Sequence, residues 1–436
     1  LEEEKMKLNY KRTFFVGFAF LSICAFWELY EGIVPKMLEG TFGLGETVVG
    51  AIMAIDNVLA LFLLPLVGAW SDKVNTRIGR RMPFILGGTL GASVFTIMLP
   101  IAEHIKNFAL FMTTLGVILL AMASYRSPAV ALMPDVTPKP LRSKANSIIN
   151  LMGALGSVYA LIMTLLLYKD DGSVNLPVFI SVVAIMVLAV IFLLITINEN
   201  ELRKKVEDEE KDFIAADTDN IEDKNNSDGK MPADVRRSFI FIMASIFLWF
   251  FAYNAVKTAF SRYADKVWGY SGGSYTLPLM VAMGAALISY IPIGIISSRI
   301  GRKKTIICGI VLMTFSYVCG FLFKEASPLI NVVFACTGIG WAAINVNSYP
   351  MVVEMCKSAD TGKYTGYYYT FSMSSQIITP IVSGFLLEKF GYYTLFPYAV
   401  VFSLASLCTM LFVKHGDSKP PVTKKEDNIN NEEMSV

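Results

Sequence analysis

The chain has 436 residues, of which 54% are hydrophobic and only 17% charged, and a soluble domain of this length would carry nearer a quarter charged residues. The net charge of +2 is uninformative as a sum, and nothing in its distribution suggests a nucleic-acid partner. The six cysteines show no CxxC spacing and the two histidines, His104 and His415, fall outside the apolar runs, which excludes a disulfide framework, a zinc site and an intramembrane histidine relay.

The N-terminal LEEEKMKLNYKR is basic and leads into a long apolar run. It reads as a signal anchor and not as a cleaved signal peptide, with Met6 as a candidate start. Apolar stretches long enough to span a bilayer follow at 13–35, 47–70, 83–101, 108–133, 145–167, 176–197, 238–260, 275–297, 305–323, 328–350, 364–387 and 393–413. Twelve spans predict an all-α membrane protein. Its divisions fall at 1–197 and 237–414, joined by a polar segment, 198–236, and followed by a tail, 415–436. The joining segment, with RKKVEDEEKD and DNIEDKNNSDGK, has the composition of a flexible linker.

Between the second and third spans lies GAWSDKVNTRIGRRMPFIL, Gly68 to Leu86. Its Lys73, Arg77, Arg80 and Arg81 cannot sit in lipid, so it is a short loop. A weaker copy, GIISSRIGRKK (Gly294 to Lys304), recurs about half a chain later and suggests two duplicated halves. A shift of 219 residues places Asp135 on Glu354, Lys144 on Lys363 and Arg126 on Asn345. With the N-terminus inside, 29 of the 38 Lys and Arg residues fall in inner segments and 7 in outer loops. That bias predicts cytoplasmic termini, in a plasma membrane of bacterial type.

Charged groups near the bilayer centre cost about 2.5–3.5 kcal/mol on insertion scales and therefore face a partner or a wet cavity. Five qualify: Glu28 and Glu31 in span 1, Asp56 in span 2, Arg126 in span 4 and Lys257 in span 7. Glu28 and Glu31, three apart, share a helical face. Three acids against two bases leave one acid in excess, suited to binding a proton or a cation. Arg126, permanently charged, needs a partner or a ligand; static pairing is the alternative use of all five. Polar and aromatic residues gather in the second half: Tyr253 and Asn254 beside Lys257 and Ser261, then Trp341, Asn345 and Ser348, then Tyr369, Ser372 and Gln376. Amides, hydroxyls and aromatic planes suit sugar recognition, and the same groups can also join helices. Asn146, Asn150, Gly153 and Ser157 read as a packing stripe along span 5.

The pattern G-x-x-S-D-K-x-x-x-R-x-G-R-R across Gly68–Arg81 resembles the loop 2–3 signature of the major facilitator superfamily. Its extension through Met82-Pro83-Phe84-Ile85, with IDNVLALFLLPLVGAWSD before it and YRSPAVALMPDVTPKPLRSKAN later, resembles the branch of sucrose/maltose-type proton symporters. The resemblance implies a major facilitator fold of two pseudo-symmetric six-helix bundles and proton-coupled glycoside uptake by alternating access. It implies a conformational gate formed by Gly68, Asp72, Arg77, Gly79, Arg80, Arg81 and Asp135, with Asp72 facing the start of helix 11. It also implies a role for Arg126 in substrate binding and coupling, with Glu28, Glu31 or Asp56 taking the proton. Tyr253, Asn254, Lys257, Trp341, Asn345, Tyr369 and Gln376 are then the expected sugar ligands.

The chain departs from that branch in three places. Residues 108–125 lack the helix 4 acid of the plant carriers, Gly294 stands where the second-half loop would carry its acid, and Met82 replaces an arginine. The paired helix 2 aspartates of sodium-coupled glycoside carriers are also missing, which disfavours sodium. No cofactor, metal or obligate protein partner is expected; the partners are a small solute and the bilayer. The rivals are an exporter of drugs or lipophilic cations, a sodium-coupled glycoside symporter, a polytopic transferase and a non-transporting sensor. The transferase would need a catalytic His or a DxD-like pair, and the sensor a soluble domain larger than the linker.

Overall fold

The computed structural model describes residues 8–138, 142–169, 172–206, 208, 232–355 and 361–417. Among the described residues, twelve long helices follow in chain order. The first six are α1 (Tyr10–Gly40), α2 (Glu46–Lys73), α3 (Met82–His104), α4 (Phe108–Asp135), α5 (Arg142–Leu167) and α6 (Leu176–Thr196). The second six are α7 (Ala233–Trp268), α8 (Thr276–Ile300), α9 (Arg302–Leu322), α10 (Leu329–Val353), α11 (Thr361–Phe390) and α12 (Leu395–Leu411). Among the described residues, 12 helical stretches are long and apolar enough to cross a membrane.

Local chemistry sets the boundaries. Asn9 and Asn107 begin α1 and α4 by accepting from the backbone N–H of Arg12 (2.9 Å) and Leu110 (3.0 Å). Pro83 sits in the first turn of α3, where its missing N–H has no partner to lose. Gly269, with φ 70°, closes α7 in the left-handed conformation that a side chain disfavours.

Each set of six helices encloses its own hydrophobic core, one drawn from residues 8–197 and one from 242–413. In the first bundle α1 packs on α5 and α6, α3 on α4 and α6, and α2 on α4; in the second α7 packs on α11 and α12, α8 on α10, and α9 on α10 and α12. Lipid tails are as apolar as leucine, so helix association depends on close backbone approach. Gly156 provides this between α5 and α1, where an added Cβ would lie 2.1 Å from the Leu21 carbonyl oxygen. Gly338 does so between α10 and α8, with the Ala282 carbonyl oxygen 2.0 Å away. The packing stripe expected on α5 is corrected at its start. Gly153 and Ser157 lie against Cys24 of α1, but Asn146 and Asn150 are exposed.

The halves meet where α2 touches α11, α5 touches α8 and α1 touches α7. The end of the molecule that holds Leu8 and Asp417 is called basal here, and the opposite end distal. Near the distal end the α2–α11 contact is backbone on backbone: a Cβ on Gly50 would lie 2.0 Å from the Pro380 carbonyl oxygen, and one on Gly384 2.4 Å from that of Glu46. Followed toward the basal end, the same faces become exposed, at Leu61 and Pro65 on α2 and at Gly366 and Tyr369 on α11. The bundles therefore splay apart basally and close distally.

The reading of 198–236 as a wholly flexible linker is corrected at both ends. Residues 199–206 are helical, and Glu199 is 1% exposed. Residues 233–236 belong to the first turn of α7. The middle, 209–231, lies outside the described residues, as does the tail from 418.

Candidate functional site

The five intramembrane charges converge on the interface between the bundles. Lys257 of α7 reaches Glu31 of α1 at 2.6 Å and lies within electrostatic reach of Glu28. Glu28 also interacts with Ser157 of α5. Asp56 of α2 faces Glu31 and Arg126 and accepts from the Asn57 side-chain amide at 2.8 Å. Arg126 of α4 lies over the Trp27 ring, 5.7 Å from its centroid, a geometry in which the guanidinium meets the negative face of the indole. Cys24 sits among Arg126, Lys257, Glu28 and Glu31.

Beside this cluster the second half supplies an aromatic wall. Tyr253 and Trp341 stack with ring centroids 3.8 Å apart and 6° between planes, and Phe250 meets Trp341 edge-on at 5.4 Å. Tyr253 faces Lys257, Glu28, Glu31 and Tyr290 of α8, a residue not singled out from sequence. Asn254 keeps a buried side-chain nitrogen with no partner among the described residues. Asn345 and Gln376 are half-buried. Tyr369 is 56% exposed, against Tyr368 and near Tyr349 on the basal, opened part of α11. Ser348 joins α10 to α11 through the Tyr368 hydroxyl at 3.2 Å, whereas Ser372 donates to the Tyr369 carbonyl of its own helix at 3.1 Å.

The loop after α2 is a compact ionic knot. Arg81, 4% exposed, donates to Asp135 (2.8 Å), to the Gly68 carbonyl (3.3 Å) and to Ser71, and pairs with Asp72. Arg80 pairs with the other oxygen of Asp135 at 2.7 Å. Glu199 accepts from the backbone N–H groups of Arg80, Arg81 and Met82 at 3.0, 3.0 and 3.2 Å, an acid at the start of α3 where the helix dipole favours it. Gly79, φ 123°, has no room for a side chain, since a Cβ would lie 2.1 Å from a Glu199 oxygen. Arg77 is exposed and contributes its carbonyl, which accepts from Asn200 at 3.2 Å. The start of helix 11, which the resemblance has Asp72 face until the carrier opens to the cytoplasm, lies largely outside the described side chains. Among the described residues the partner of Asp72 is Arg81, and the Asp72 side chain is 53% exposed.

The second half repeats the knot with residues that sequence reasoning assigned elsewhere. Asp417 accepts from the Arg302 N–H at 2.5 Å and Arg302 pairs with Glu354, the residue that the 219-residue shift aligns with Asp135. Asp417 thus reaches the second loop from beyond α12 as Glu199 reaches the first from beyond α6, while Gly294 leaves Asp72 without a counterpart among the described residues.

The distal seal was not read from the sequence at all. Arg262 of α7 holds Glu46 of α2 through contacts of 3.0, 3.0 and 2.9 Å, both side chains 5% exposed. Tyr392 donates to Glu46 and, at 3.1 Å, to Glu39. Lys266 pairs with Glu39, and Lys36 approaches Asp265 at 4.0 Å and the Tyr275 ring at 4.8 Å. Glu388 of α11 accepts from the Thr47 N–H at 2.9 Å, so the second bundle caps the first turn of α2. The sequence signal was present, as Glu39, Glu46, Arg262 and Lys266 all sit at span ends, but span ends commonly carry unpaired charge.

Two six-helix bundles, closed at one end and parted at the other around an interface of acidic and basic side chains, have the architecture of a membrane carrier. The chain matches the model of the Major Facilitator Superfamily over residues 16–291 and 263–433, and it belongs to that superfamily. Fold and family are those of secondary transporters, not of enzymes. Among characterised relatives, the "Proton-associated sugar transporter A" of Mus musculus is 31% identical over 143 residues, 30% of this chain and 19% of that protein. "Sucrose transport protein SUC3" of Arabidopsis thaliana is 27% identical over 151 residues, 30% of this chain and 25% of that protein. The chain thus spans about a fifth to a quarter of the length of these relatives. An uncharacterised MFS-type transporter of Methanocaldococcus jannaschii is 24% identical over 92% of this chain and 95% of its own. Solved structures share the fold: a POT family transporter in complex with a thioalcohol-conjugated peptide has TM-score 0.67 at 14% identity, covering 93% of this chain and 95% of its own. A point mutant of the nucleoside transporter NupG has TM-score 0.68 at 15% identity, covering 93% of this chain and 100% of its own.

Proposed function

We propose that this carrier takes up a sugar, a disaccharide or other glycoside, together with a proton, across a plasma membrane with both termini cytoplasmic. The observation that carries the reading is the meeting of Glu28, Glu31, Asp56, Arg126 and Lys257 beside the Tyr253–Trp341 stack, at the interface of the two bundles. The names of the partial relatives point the same way.

Three acids facing two bases leave one carboxylate without compensation, and a proton removes that imbalance. Protonation of Glu31 would release Lys257 from its cross-bundle pair, leaving its ammonium free for a sugar hydroxyl. The stacked rings offer a plane for the C–H face of the sugar, and Asn254 supplies an unsatisfied amide donor. Lys257 lies on the same helix as Arg262, Asp265 and Lys266 of the distal seal, so the coupling site and the seal are carried by one rigid element. In this assignment the basal end faces the cytoplasm, and the structure is an inward-open state.

The test is proton movement in proteoliposomes carrying the full chain and an internal pH dye, over a panel of disaccharides. Internal acidification with one sugar, unaltered by sodium substitution, is the expected result. No response to any sugar, with efflux of a lipophilic cation instead, would assign the fold to export.

A further inference from the structure

The first bundle brings to the interface an indole that the proposed cycle leaves unused. Trp27 lies on the face of α1 that also carries Cys24, Glu28 and Glu31. Phe26 and Tyr30 meet its ring edge-on, at 5.2 and 5.3 Å with planes 75° and 87° apart, and hold the indole in one orientation. The residue is half-buried, but its Nε1–H is buried and has no partner among the described residues. A buried donor without an acceptor is rare in a native protein and asks for a cause.

Packing does not supply that cause. A phenylalanine would meet Phe26, Tyr30 and the Arg126 guanidinium in the same way, because each contact is with a ring edge or a ring face. What the indole adds is the N–H donor. Arg126 shows the same excess: its guanidinium lies half-buried over the Trp27 ring, and no described residue accepts from it. The acids close by are engaged otherwise, Glu31 with Lys257, Asp56 with the Asn57 amide and Glu28 with Ser157. In the second bundle Asn254 also keeps an unpartnered donor, and Tyr253 beside it faces Glu28, the neighbour of Trp27. Donors without acceptors thus stand on both sides of the interface, and a solute rich in oxygen matches them.

We propose that Trp27 binds the solute from the first bundle, its indole N–H donating to one oxygen of the sugar. In this conformation the N–H is covered, and Arg126, held by no hydrogen bond, is the group whose displacement uncovers it. Resting on the sugar reading of the interface, the assignment gives the two bundles different tasks. The Tyr253–Trp341 stack takes the C–H face of the sugar, and Trp27 reads an oxygen at one position of its edge. Trp27 is then a specificity residue, since a site built to hydrogen-bond an oxygen rejects the analogue that lacks it.

The experiment is uptake of labelled maltose and sucrose by the full chain in proteoliposomes, with monodeoxy and monodeoxyfluoro analogues of whichever is transported. Fluorine in place of a hydroxyl keeps an acceptor and removes the donor, whereas hydrogen keeps neither. At one position the deoxy analogue should lose at least about tenfold in kcat/KM and the fluoro analogue less than about threefold. Trp27→Phe keeps the ring for Phe26, Tyr30 and Arg126. It should raise KM for the sugar at least about tenfold with kcat within about threefold, and make that one position indifferent to hydrogen or fluorine. A role in packing alone would change kcat or the unfolding midpoint and leave the preference among analogues as it was. An unchanged KM in Trp27→Phe, or an unchanged preference at every position, overturns the proposal. Should that variant fail to fold, the unmodified chain still decides: the lack of any position that refuses hydrogen and accepts fluorine overturns the proposal as well. If the unmodified chain transports neither disaccharide, the sugar reading fails and takes this assignment with it; if it transports one and Trp27→Phe behaves identically, this assignment alone fails.

Discussion

Replacing Arg262 by leucine should unlatch the distal seal. Arg262 and Glu46 are each 5% exposed and joined by contacts of 2.9–3.0 Å, with Glu39 a further 3.9 Å from the guanidinium. Removing one partner of a buried pair costs about 3–5 kcal/mol, because the other charge stays buried without compensation. Glu46 keeps the Tyr392 hydroxyl, so the lower figure of about 3 kcal/mol applies. In the distally open state both groups meet water, and the penalty falls on the closed state alone. At about 1.4 kcal/mol per factor of ten, the ratio of closed to open moves about a hundredfold. The assay is labelling of Ala54→Cys by an impermeant maleimide added at the distal side, with the native cysteines replaced. Ala54 is 2% exposed and lies one turn below the Gly50–Pro380 contact, so it reacts only when the seal parts. The labelling rate should rise at least tenfold in the leucine variant and return toward baseline when Glu46→Arg is combined with Arg262→Glu. A rate within twofold of the parent, in a protein of unchanged elution volume, would refute the assignment of this pair as the distal latch.

Gly50→Ala places a methyl 2.0 Å from the Pro380 carbonyl oxygen and should reduce transport more than tenfold while leaving expression intact; Gly87→Ala, with nothing within 4 Å, should transport normally. Glu199→Gln weakens the acceptor for three backbone amides, and the thermal midpoint should fall by a few degrees, about 1–2 kcal/mol, with Gly79→Ala at least as damaging. Arg126→Gln should abolish proton-coupled accumulation; normal coupled transport in that variant would remove Arg126 from the mechanism.

The span count, the two-bundle fold and the charged interface were legible in the sequence because each rests on a local rule. A charge inside an apolar run is conspicuous, and burying it demands a partner, so Glu31 and Lys257 could be suspected without knowing that they meet at 2.6 Å. The aromatic pair was named residue by residue, but its stacking needs the packing of α7 on α10 to be known. The distal seal was invisible because Glu39, Glu46, Arg262 and Lys266 occupy span ends, where unpaired charge is ordinary. Glu199 and Asp417 were hidden by composition: each stands in a polar segment that reads as linker or tail, and only the fold brings it back onto a loop of its own half. Gly294, in the position of Asp72, suggested a degenerate second loop, yet the counterparts of Asp135 and Glu199, Glu354 and Asp417, still hold Arg302.

The charge balance of the interface has an electrical corollary. The pairs crossing the distal seal, Glu46 with Arg262, Glu39 with Lys266 and Lys36 with Asp265, each sum to zero. While that end is closed, these pairs therefore place no net charge of their own in the membrane field. The central cluster is different: in the proposed cycle its three acids, when all are ionised against two bases, carry one negative charge that a bound proton cancels. A field of 100 mV acts on an uncompensated charge with about 2.3 kcal/mol and on a neutral cluster with none. In a proton-coupled cycle the loaded carrier would thus reorient unaffected by membrane potential, and an inside-negative potential would drive the return of the empty one.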